Sequence, residues 1–401
     1  MTGQYASRAK NDRFLNQLKS SPILSVGWNT KILSDTRTLP KLMQDNGYKT
    51  GMVGKNHVID VVGRNNIPAN ADPEQSDIKR MLDHNRKTEI RAIKRCGFDY
   101  AASIYHANLP GITCKQLQHH NMDWIVKGAL DFIDKYETDP FFLYFSTTLT
   151  HGPDKPGTKY QADPRITPFG LLDQQLNVLP PRQTIPERLK KAGISSDRAA
   201  DILWLDDGIT AVINKLKTRG LLDNTVIFYF NDHGVENGKG ALYNGGILSQ
   251  SWVWSEKMFS GMRKVKTPVS NIDFAPTILD ICNIDYRTDM FDGKSFLSVL
   301  KGNEQKIHDS LFFEIGYSRA VIKGDWKYLA LRYPKHIEEN TEQKPRKKKN
   351  KSQSAGRGKR SEKISAVLSH MGKIGGKGSE QPAMLHYRNY PNADQLYNLN
   401  N

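Results

Sequence analysis

The sequence is poor in cysteine, with Cys96, Cys114 and Cys282 as its three residues of this type in 401 positions. They are far apart and form no Cys-x-x-Cys pair, which argues against a disulfide framework and against a cysteine-based zinc site. No run approaches the roughly 18 consecutive apolar residues of a membrane span, so we expect none of these positions to cross a bilayer. The length suits one large domain and a smaller one.

The first residues, MTGQYASRAKNDRFLNQ, lack the features of a natural beginning. They have neither the basic start nor the apolar run of a secretory signal. Apolar periodicity is sustained only from Leu39 onward, so they do not form a well-defined first element either. We therefore expect that sequence has been lost ahead of Met1, and the compartment stays open.

Positive charge is concentrated in one segment. Twelve Lys or Arg and two Glu lie between Thr341 and Gly378, which accounts for ten of the sixteen net positive charges. The segment has no aromatic residue, so it cannot bury enough surface to offset the entropy of ordering. We predict a disordered insertion at about residues 338–382. A polyanion-binding arm is the alternative to a solvated loop, and no specific nucleic-acid partner is predicted.

Elsewhere, apolar runs alternate with amphipathic segments, which is typical of a largely parallel sheet flanked by helices. One helix is predicted between a cap at Thr38 and a stop at Gly47. Two more are predicted from Trp124 to Tyr136 and from Asp201 to Arg219, where apolar residues recur at helical spacing. The fold class is therefore predicted to be α/β.

Three predicted strands end in polar residues. Strand 50–53 leads into GKNH, strand 141–146 into TTLTHGP, and strand 225–230 into NDHG. In open α/β sheets, ligands bind outside the carboxyl ends of the strands. We expect a sheet to bring these three ends to one rim and to form a site there.

The chemistry of these strand ends suits an anion and a metal. Lys55 and His57 are two residues apart, so an extended backbone points both side chains the same way. Asp232 and His233 offer an oxygen and a nitrogen to a metal, although a hard divalent cation needs about six ligands. Lys239 lies in a glycine-rich loop whose N–H groups suit an anion. Each residue alone has an ordinary surface explanation, and the prediction depends on their recurrence.

Several motifs resemble, in order, those of the formylglycine-dependent sulfatases of the alkaline phosphatase superfamily. They are LPKLMQDNGYKTGMVGKNH, THGP, DNTVIFYFNDHG and GKGALYNGG, followed by VSNIDFAPTILDICNI and by the C-terminal WKYLALRY and DQLYNLN. Asn56 stands where the family usually has Trp. The resemblance implies a catalytic domain over residues 1–290, and a smaller C-terminal α+β subdomain over residues 291–401 that carries the basic insertion.

The resemblance also implies roles for individual residues. Lys55 would bind the nucleophile and the sulfate, and His57 would act as the base that expels the enzyme-bound sulfate. His151 would protonate or stabilise the leaving oxygen, and Lys239 would hold a sulfate oxygen. The remaining implied residues are two metal ligands, Asp232 and His233. The implied metal is calcium, and another divalent metal is the alternative because His233 stands where many members have Asn.

MTGxY resembles the tail of the family signature C/S-x-P-S-R-x-x-x-(L/M)-T-G, whose first residue becomes the formylglycine nucleophile. The resemblance implies that the nucleophile and an Asp-Asp metal pair lie ahead of Met1, so that the chain is a fragment and inactive as given. It implies a small-molecule or carbohydrate sulfate ester as substrate and a periplasmic or secreted location. The alternatives are a phosphodiesterase or phosphomutase of the same superfamily, and a catalytically dead binder of sulfated polymers.

Overall fold

A computed structural model describes residues 1–8, 12–20, 22–27, 30–33, 35–152, 159–234, 239–259, 261–303, 306–335 and 392–400. The basic insertion predicted at about 338–382 lies outside the described residues. Within these ranges, no helix combines the length and the apolar character that a membrane span requires.

Helices and strands alternate in the first half, and strands predominate near the C-terminus. The α-helices are α1 Asp12–Ser20, α2 Leu39–Asp45, α3 Ser76–Arg95, α4 Met122–Lys135, α5 Ile185–Lys191, α6 Asp197–Thr218, α7 Asn244–Ile247, α8 Phe274–Ile281 and α9 Leu297–Leu300. The strands are β1 Lys49–Lys55, β2 Tyr100–Tyr105, β3 Phe141–Ser146, β4 Ile166–Thr167, β5 Gly170–Leu171, β6 Ile227–Phe230, β7 Ser251–Trp254, β8 Leu311–Ile315, β9 Ser318–Lys323, β10 Trp326–Leu331 and β11 Asp394–Asn398.

A parallel sheet with the strand order β2-β1-β3 is flanked by helices. Alternate residues of β1 point to opposite faces, as the pleat of a strand requires. Val53 packs in one cluster with Ile125 of α4, and Met52 packs in another with Ile93 of α3. The α/β fold with a largely parallel sheet is thereby confirmed.

The predicted helices are present with small changes at their ends. Thr38 caps α2, and its hydroxyl accepts a hydrogen bond from the backbone N–H of Lys41 at 3.4 Å. The helix predicted to start at Asp201 starts at Asp197. Helix boundaries are less well determined than helix existence, because end residues gain little from propensity alone.

The expectation that a single sheet holds all three strands is wrong for the third strand. β1 and β3 are neighbours, so the ends that carry Lys55 and the THGP loop do lie together. β6 instead pairs antiparallel with β7 in a separate two-stranded sheet, with Ile227 opposite Trp254. The partner of β6 is a strand about twenty residues away, and such local antiparallel pairing needs no long crossover.

The chain forms two compact units, each built from several segments. The first consists of Met1–Thr2, Lys31–Thr225 and Ser255–Lys257, and contains the parallel sheet. The second consists of Gly3–Thr30, Val226–Trp254 and Met258–Asn401. Its four-stranded antiparallel sheet has the order β11-β10-β9-β8. The family boundary near residue 290 stays a prediction.

Candidate functional site

Lys55 is placed by a close approach of β1 to β3. Gly54, immediately before it, has a φ of +90°, and a Cβ added there would lie 1.6 Å from the backbone oxygen of Ser146. Only glycine combines a left-handed backbone with this lack of space. The G-K pair of the GKNH motif therefore brings Lys55 to the end of the strand beside β3.

Asn56 shapes the turn that carries His57. Its side chain is 3% exposed, its Nδ2 donates to Glu89 Oε1 at 2.7 Å, and its Oδ1 accepts from the backbone N–H of Ile59 at 2.9 Å. Glu89 is 1% exposed, and burial raises the pKa of its carboxyl group. Glu89 on α3 thus orients the amide of Asn56, the residue that stands where the motif usually has Trp. The amide fixes the turn that leads to His57.

Asn108 connects three of the predicted catalytic residues. Lys55 Nζ donates to Asn108 Oδ1 at 3.1 Å, and the backbone N–H of Asn108 donates to His57 Nε2 at 3.2 Å. The side-chain Nδ2 of Asn108 lies 3.1 Å from His151 Nε2. Lys55, His57 and His151 come from two separate stretches of chain, and one residue after β2 contacts them all.

His120 holds the loop that carries His151. It is 2% exposed, and burial lowers the pKa of its imidazole to about 4, so the ring is neutral at ordinary pH. A carbonyl oxygen only accepts, so the Nε2 of His120 must donate to the backbone oxygen of His151, 3.0 Å away. Its Nδ1 then accepts from the hydroxyl of Thr148 at 2.8 Å.

Asn108 was not predicted as a site residue, although the criterion used for the other strand ends applies to it. That criterion was a polar residue after an apolar strand, and Asn108 follows β2, the neighbour of β1 in the sheet. The segment YAASIYHAN was not considered as a fourth strand end. Asn56 was noted as a departure from the family motif, but its partner Glu89 lies 33 residues further along and gave no local signal.

Asp232 and His233 lie in the second unit, directly after β6. His233 Nδ1 donates to the carbonyl of Gly234 at 2.8 Å, which leaves the Nε2 lone pair on the side of Asp232, 3.4 Å from Oδ2. Such a separation fits two adjacent positions in the shell of a cation with ligands at about 2.4 Å. The described residues contain no cluster of three His, Cys, Asp or Glu side chains that could hold a metal. The pair therefore fits part of a metal site.

The turn with Asp232 and His233 is fixed against the segment that follows Lys239. A Cβ at Gly234 would lie 2.3 Å from the oxygen of Gly245, and the Gly234 N–H donates to the oxygen of Gly246 at 2.9 Å. Lys239 itself is partly buried and has no described hydrogen-bond or ion-pair partner. The geometry thus links the predicted metal ligands to the glycine-rich loop within one unit.

The glycine-rich loop is in turn anchored to the antiparallel sheet. Tyr243 donates its hydroxyl hydrogen to Gln395 Oε1 at 2.7 Å, in a buried contact. Lys327 of β10 is 2% exposed and donates to Asn244 Oδ1 at 3.0 Å. Burial lowers the pKa of Lys327 to about 8, and no acidic side chain among the described residues pairs with it.

Comparison with known proteins settles the family. The family model described as Sulfatase matches residues 1–284. The chain belongs to the sulfatase family. This confirms the resemblance that the GKNH, THGP, NDHG and GKG motifs suggested. The matched range includes both β1 and Lys239.

Sulfatases are also found among the curated relatives. The uncharacterized sulfatase YdeN of Escherichia coli (strain K12) is 25% identical over 310 residues, which cover 70% of this chain and 50% of the relative. The N-acetylglucosamine-6-sulfatase of Bos taurus is 28% identical over 220 residues, which cover 49% of this chain and 39% of the relative. The chain thus spans half or less of the length of these relatives.

Solved structures share the fold. One, from work on the metabolism of multiple glycosaminoglycans by Bacteroides thetaiotaomicron, has a TM-score of 0.54 at 18% identity and covers 82% of this chain and 76% of its own. Ps i-CgsB in complex with k-i-k-neocarrahexaose has a TM-score of 0.50 at 17% identity and covers 94% and 82%. At these identities the likeness shows the sulfatase fold alone.

Proposed function

We propose that the chain carries the anion-binding and proton-transfer part of a sulfuric ester hydrolase. The observation that supports this most directly is the meeting of Lys55, His57 and His151 around Asn108. An ammonium group can neutralise a sulfate oxygen, and imidazoles can move protons near neutral pH. A purely structural polar cluster would not need a lysine and two histidines from different motifs at one point.

The individual roles follow the family motifs. Lys55 binds the sulfate, His57 is the base that helps to expel the enzyme-bound sulfate, and His151 protonates or stabilises the leaving oxygen. Lys239 binds a sulfate oxygen, a role supported by its motif. Asp232 and His233 bind the metal.

The proposed metal is calcium. Bound by the Asp232 carboxylate and the His233 imidazole, with further ligands, it would supply positive charge to sulfate oxygens. This chain's own contribution is the orientation of the two donors: the Gly234 carbonyl accepts a hydrogen bond from His233 Nδ1, so the lone pair of the ring is on Nε2, beside Asp232. Calorimetry with calcium should show uptake that Asp232→Ala abolishes. Uptake that survives this substitution would contradict the ligand assignment.

The proposed substrate is a carbohydrate sulfate ester. Support comes from the relatives named N-acetylglucosamine-6-sulfatase in Bos taurus and in Homo sapiens, which are 28% and 27% identical to about half of this chain. The proposal extends to the class of ester and not to the position of the sulfate on the sugar. A periplasmic or secreted location, suggested by the family, is part of the same proposal.

We further propose that these 401 residues do not turn over sulfate esters by themselves. The sequence contains no Pro-Ser-Arg triplet, and none of the segments around Cys96, Cys114 and Cys282 resembles the C/S-x-P-S-R signature, so the formylglycine precursor is not among these 401 residues. Loss of one member of a catalytic set that acts as a unit removes nearly all rate enhancement. Hydrolysis of an aryl sulfate well above a buffer blank, abolished by His151→Ala, would contradict this.

Binding can be tested without turnover. Calorimetry in calcium-containing buffer would compare N-acetylglucosamine 6-sulfate with N-acetylglucosamine on the 401-residue chain. We expect the sulfated sugar to bind more tightly, and Lys55→Met to weaken it about tenfold, the worth of one hydrogen bond to a charged group. Lys79→Met, on the exposed side of α3, is the control and should change nothing. Equal affinity for both sugars would contradict the proposal.

A further inference from the structure

The contacts of His151 determine which of its nitrogens carries hydrogen. Its Nδ1 lies 2.8 Å from the carbonyl oxygen of Gly152, which only accepts, so Nδ1 must be the donor. In the neutral ring, Nε2 then has a lone pair and accepts from Nδ2 of Asn108 at 3.1 Å. The amide is oriented to match, because its Oδ1 accepts from the ammonium of Lys55.

This orientation leaves the amide no alternative while Lys55 stays in place. If His151 gained hydrogen on Nε2, two N–H groups would face each other across 3.1 Å. The amide could turn to offer Oδ1 to His151, but its Nδ2 would then face the Lys55 ammonium, another donor. Either the proton stays off Nε2, or the contact between Lys55 and Asn108 breaks.

We propose that Asn108 is a positioning residue that couples the proton on His151 Nε2 to the position of Lys55. With His151 neutral, the amide holds Lys55 by Oδ1. When His151 takes a proton on Nε2, the amide turns, Oδ1 accepts from the imidazolium, and the hydrogen bond from Lys55 to Asn108 is lost. The inference deepens the proposed function, on which it rests for the roles of both side chains: the ring gains its acidic hydrogen as the ammonium of Lys55 loses its contact with Asn108.

His57 differs from His151 in a way that provides an internal control. It accepts from the backbone N–H of Asn108 at 3.2 Å, and a backbone N–H cannot turn. Any substitution of the Asn108 side chain therefore leaves the His57 contact in place. His120 also contacts the His151 segment. It donates from Nε2 to the backbone oxygen of His151, so its hydrogen is on Nε2, whereas that of His151 is on Nδ1.

The hydrogen positions can be measured directly by long-range 1H–15N NMR of the 401-residue chain labelled at histidine. In the wild type at pH 8 we expect hydrogen on Nδ1 of His57 and His151, and on Nε2 of His120. Each hydrogen bond favours its tautomer by up to about tenfold. Hydrogen on Nε2 of His151 in the wild type would overturn the proposal. The measurement needs no turnover, so it remains decisive even if the proposed function fails.

Asn108→Asp makes the sharpest variant, because a carboxylate of the same shape only accepts. Gly152 still requires hydrogen on Nδ1 and Asp at 108 requires it on Nε2, so we expect His151 to carry both hydrogens at pH 8. His57 and His120 should keep their wild-type patterns. Asn46→Asp, an exposed site at the end of α2, controls for added charge. A His151 signal unchanged in Asn108→Asp would overturn the proposal.

A second measurement avoids any variant. In a pH titration of the wild type, the side-chain amide signals of Asn108 and the ammonium signal of Lys55 should change at the same midpoint as the second hydrogen of His151 appears. The coupling requires all three to move together. If His151 gains its second hydrogen while the Asn108 amide and Lys55 signals stay constant, the coupling does not exist.

Discussion

The side-chain amide of Asn56 donates to the carboxylate of Glu89 across 2.7 Å, and both side chains are almost fully buried. This pair connects the turn of His57 to α3. Glu89 has one further oxygen, Oε2, with no described hydrogen-bond partner, and its nearest cation is Arg64 at 3.7 Å. A charged carboxylate is therefore poorly solvated there, and burial raises its pKa.

Glu89→Gln should make the protein more stable than the wild type at high pH, and the advantage should shrink at low pH. The folded-state pKa of Glu89 lies above its unfolded value of 4.5, so its favourable contribution is present below that value and is lost as the pH rises through the folded pKa. Glutamine has no such loss, and it keeps an oxygen for Asn56. Urea unfolding at several pH values measures the difference.

Glu74→Gln, at an exposed position, is the control for this comparison, and its stability relative to the wild type should not increase with pH. A Glu89→Gln variant whose stability relative to the wild type is the same at every pH would contradict the buried-charge interpretation. A Glu89→Gln variant whose stability relative to the wild type falls as the pH rises would contradict it as well.

Part of the site could be predicted because strand patterns are local. β3 was predicted with its observed ends, and Lys55 and His57 were assigned to the end of β1 from the polar residues that follow its apolar run. The pairing of β6 with β7 could not be predicted in this way, since an apolar run does not specify its partner strand. The role of Asn108 required the order β2-β1-β3, which is a long-range choice of the folded chain.

Gly54→Ala should destabilise the protein far more than Gly63→Ala. Both glycines are left-handed, with φ of +90° and +89°, so both substitutions cost about 1–2 kcal/mol of backbone strain. A Cβ at Gly63 meets nothing within 4 Å, whereas one at Gly54 would lie 1.6 Å from the oxygen of Ser146. An alanine at position 54 would push β1 away from β3, which destabilises the fold further, whereas an alanine at position 63 causes no such displacement. Urea unfolding of both variants measures it, and equal losses would contradict the close approach.

His120 should make the fold sensitive to acid. Burial lowers its folded pKa from 6.5 to about 4, so its favourable contribution is present above pH 6.5 and is lost as the pH falls toward 4. The loss can reach about 3 kcal/mol, since each pH unit of pKa difference is worth about 1.4 kcal/mol. His120→Gln keeps an N–H for the His151 carbonyl but does not titrate, so its stability should fall less over this range.

The matched control for His120 is His84→Gln, because His84 is exposed on α3. Its unfolding free energy should follow the wild-type curve between pH 6.5 and 4. If His120→Gln also follows that curve, the acid sensitivity comes from other groups, and the buried neutral histidine is not its source.

Lys327→Met should loosen the glycine-rich loop while changing global stability little. Removing a buried ammonium relieves a desolvation cost, but it leaves Oδ1 of Asn244 without its donor, and the two effects nearly cancel in the unfolding free energy.

Locally, α7 loses its anchor to β10. We expect the backbone N–H groups of residues 246–248, which bond to Tyr243 and Asn244, to exchange with deuterium about tenfold faster than in the wild type, as loss of one hydrogen bond to a charged group implies. Lys323→Met, at an exposed position on the adjacent β9, should leave this exchange unchanged. Equal exchange in both variants would show that Lys327 does not hold the segment, and that the Tyr243–Gln395 hydrogen bond and the apolar contacts of Leu242 are enough to fix it to the sheet.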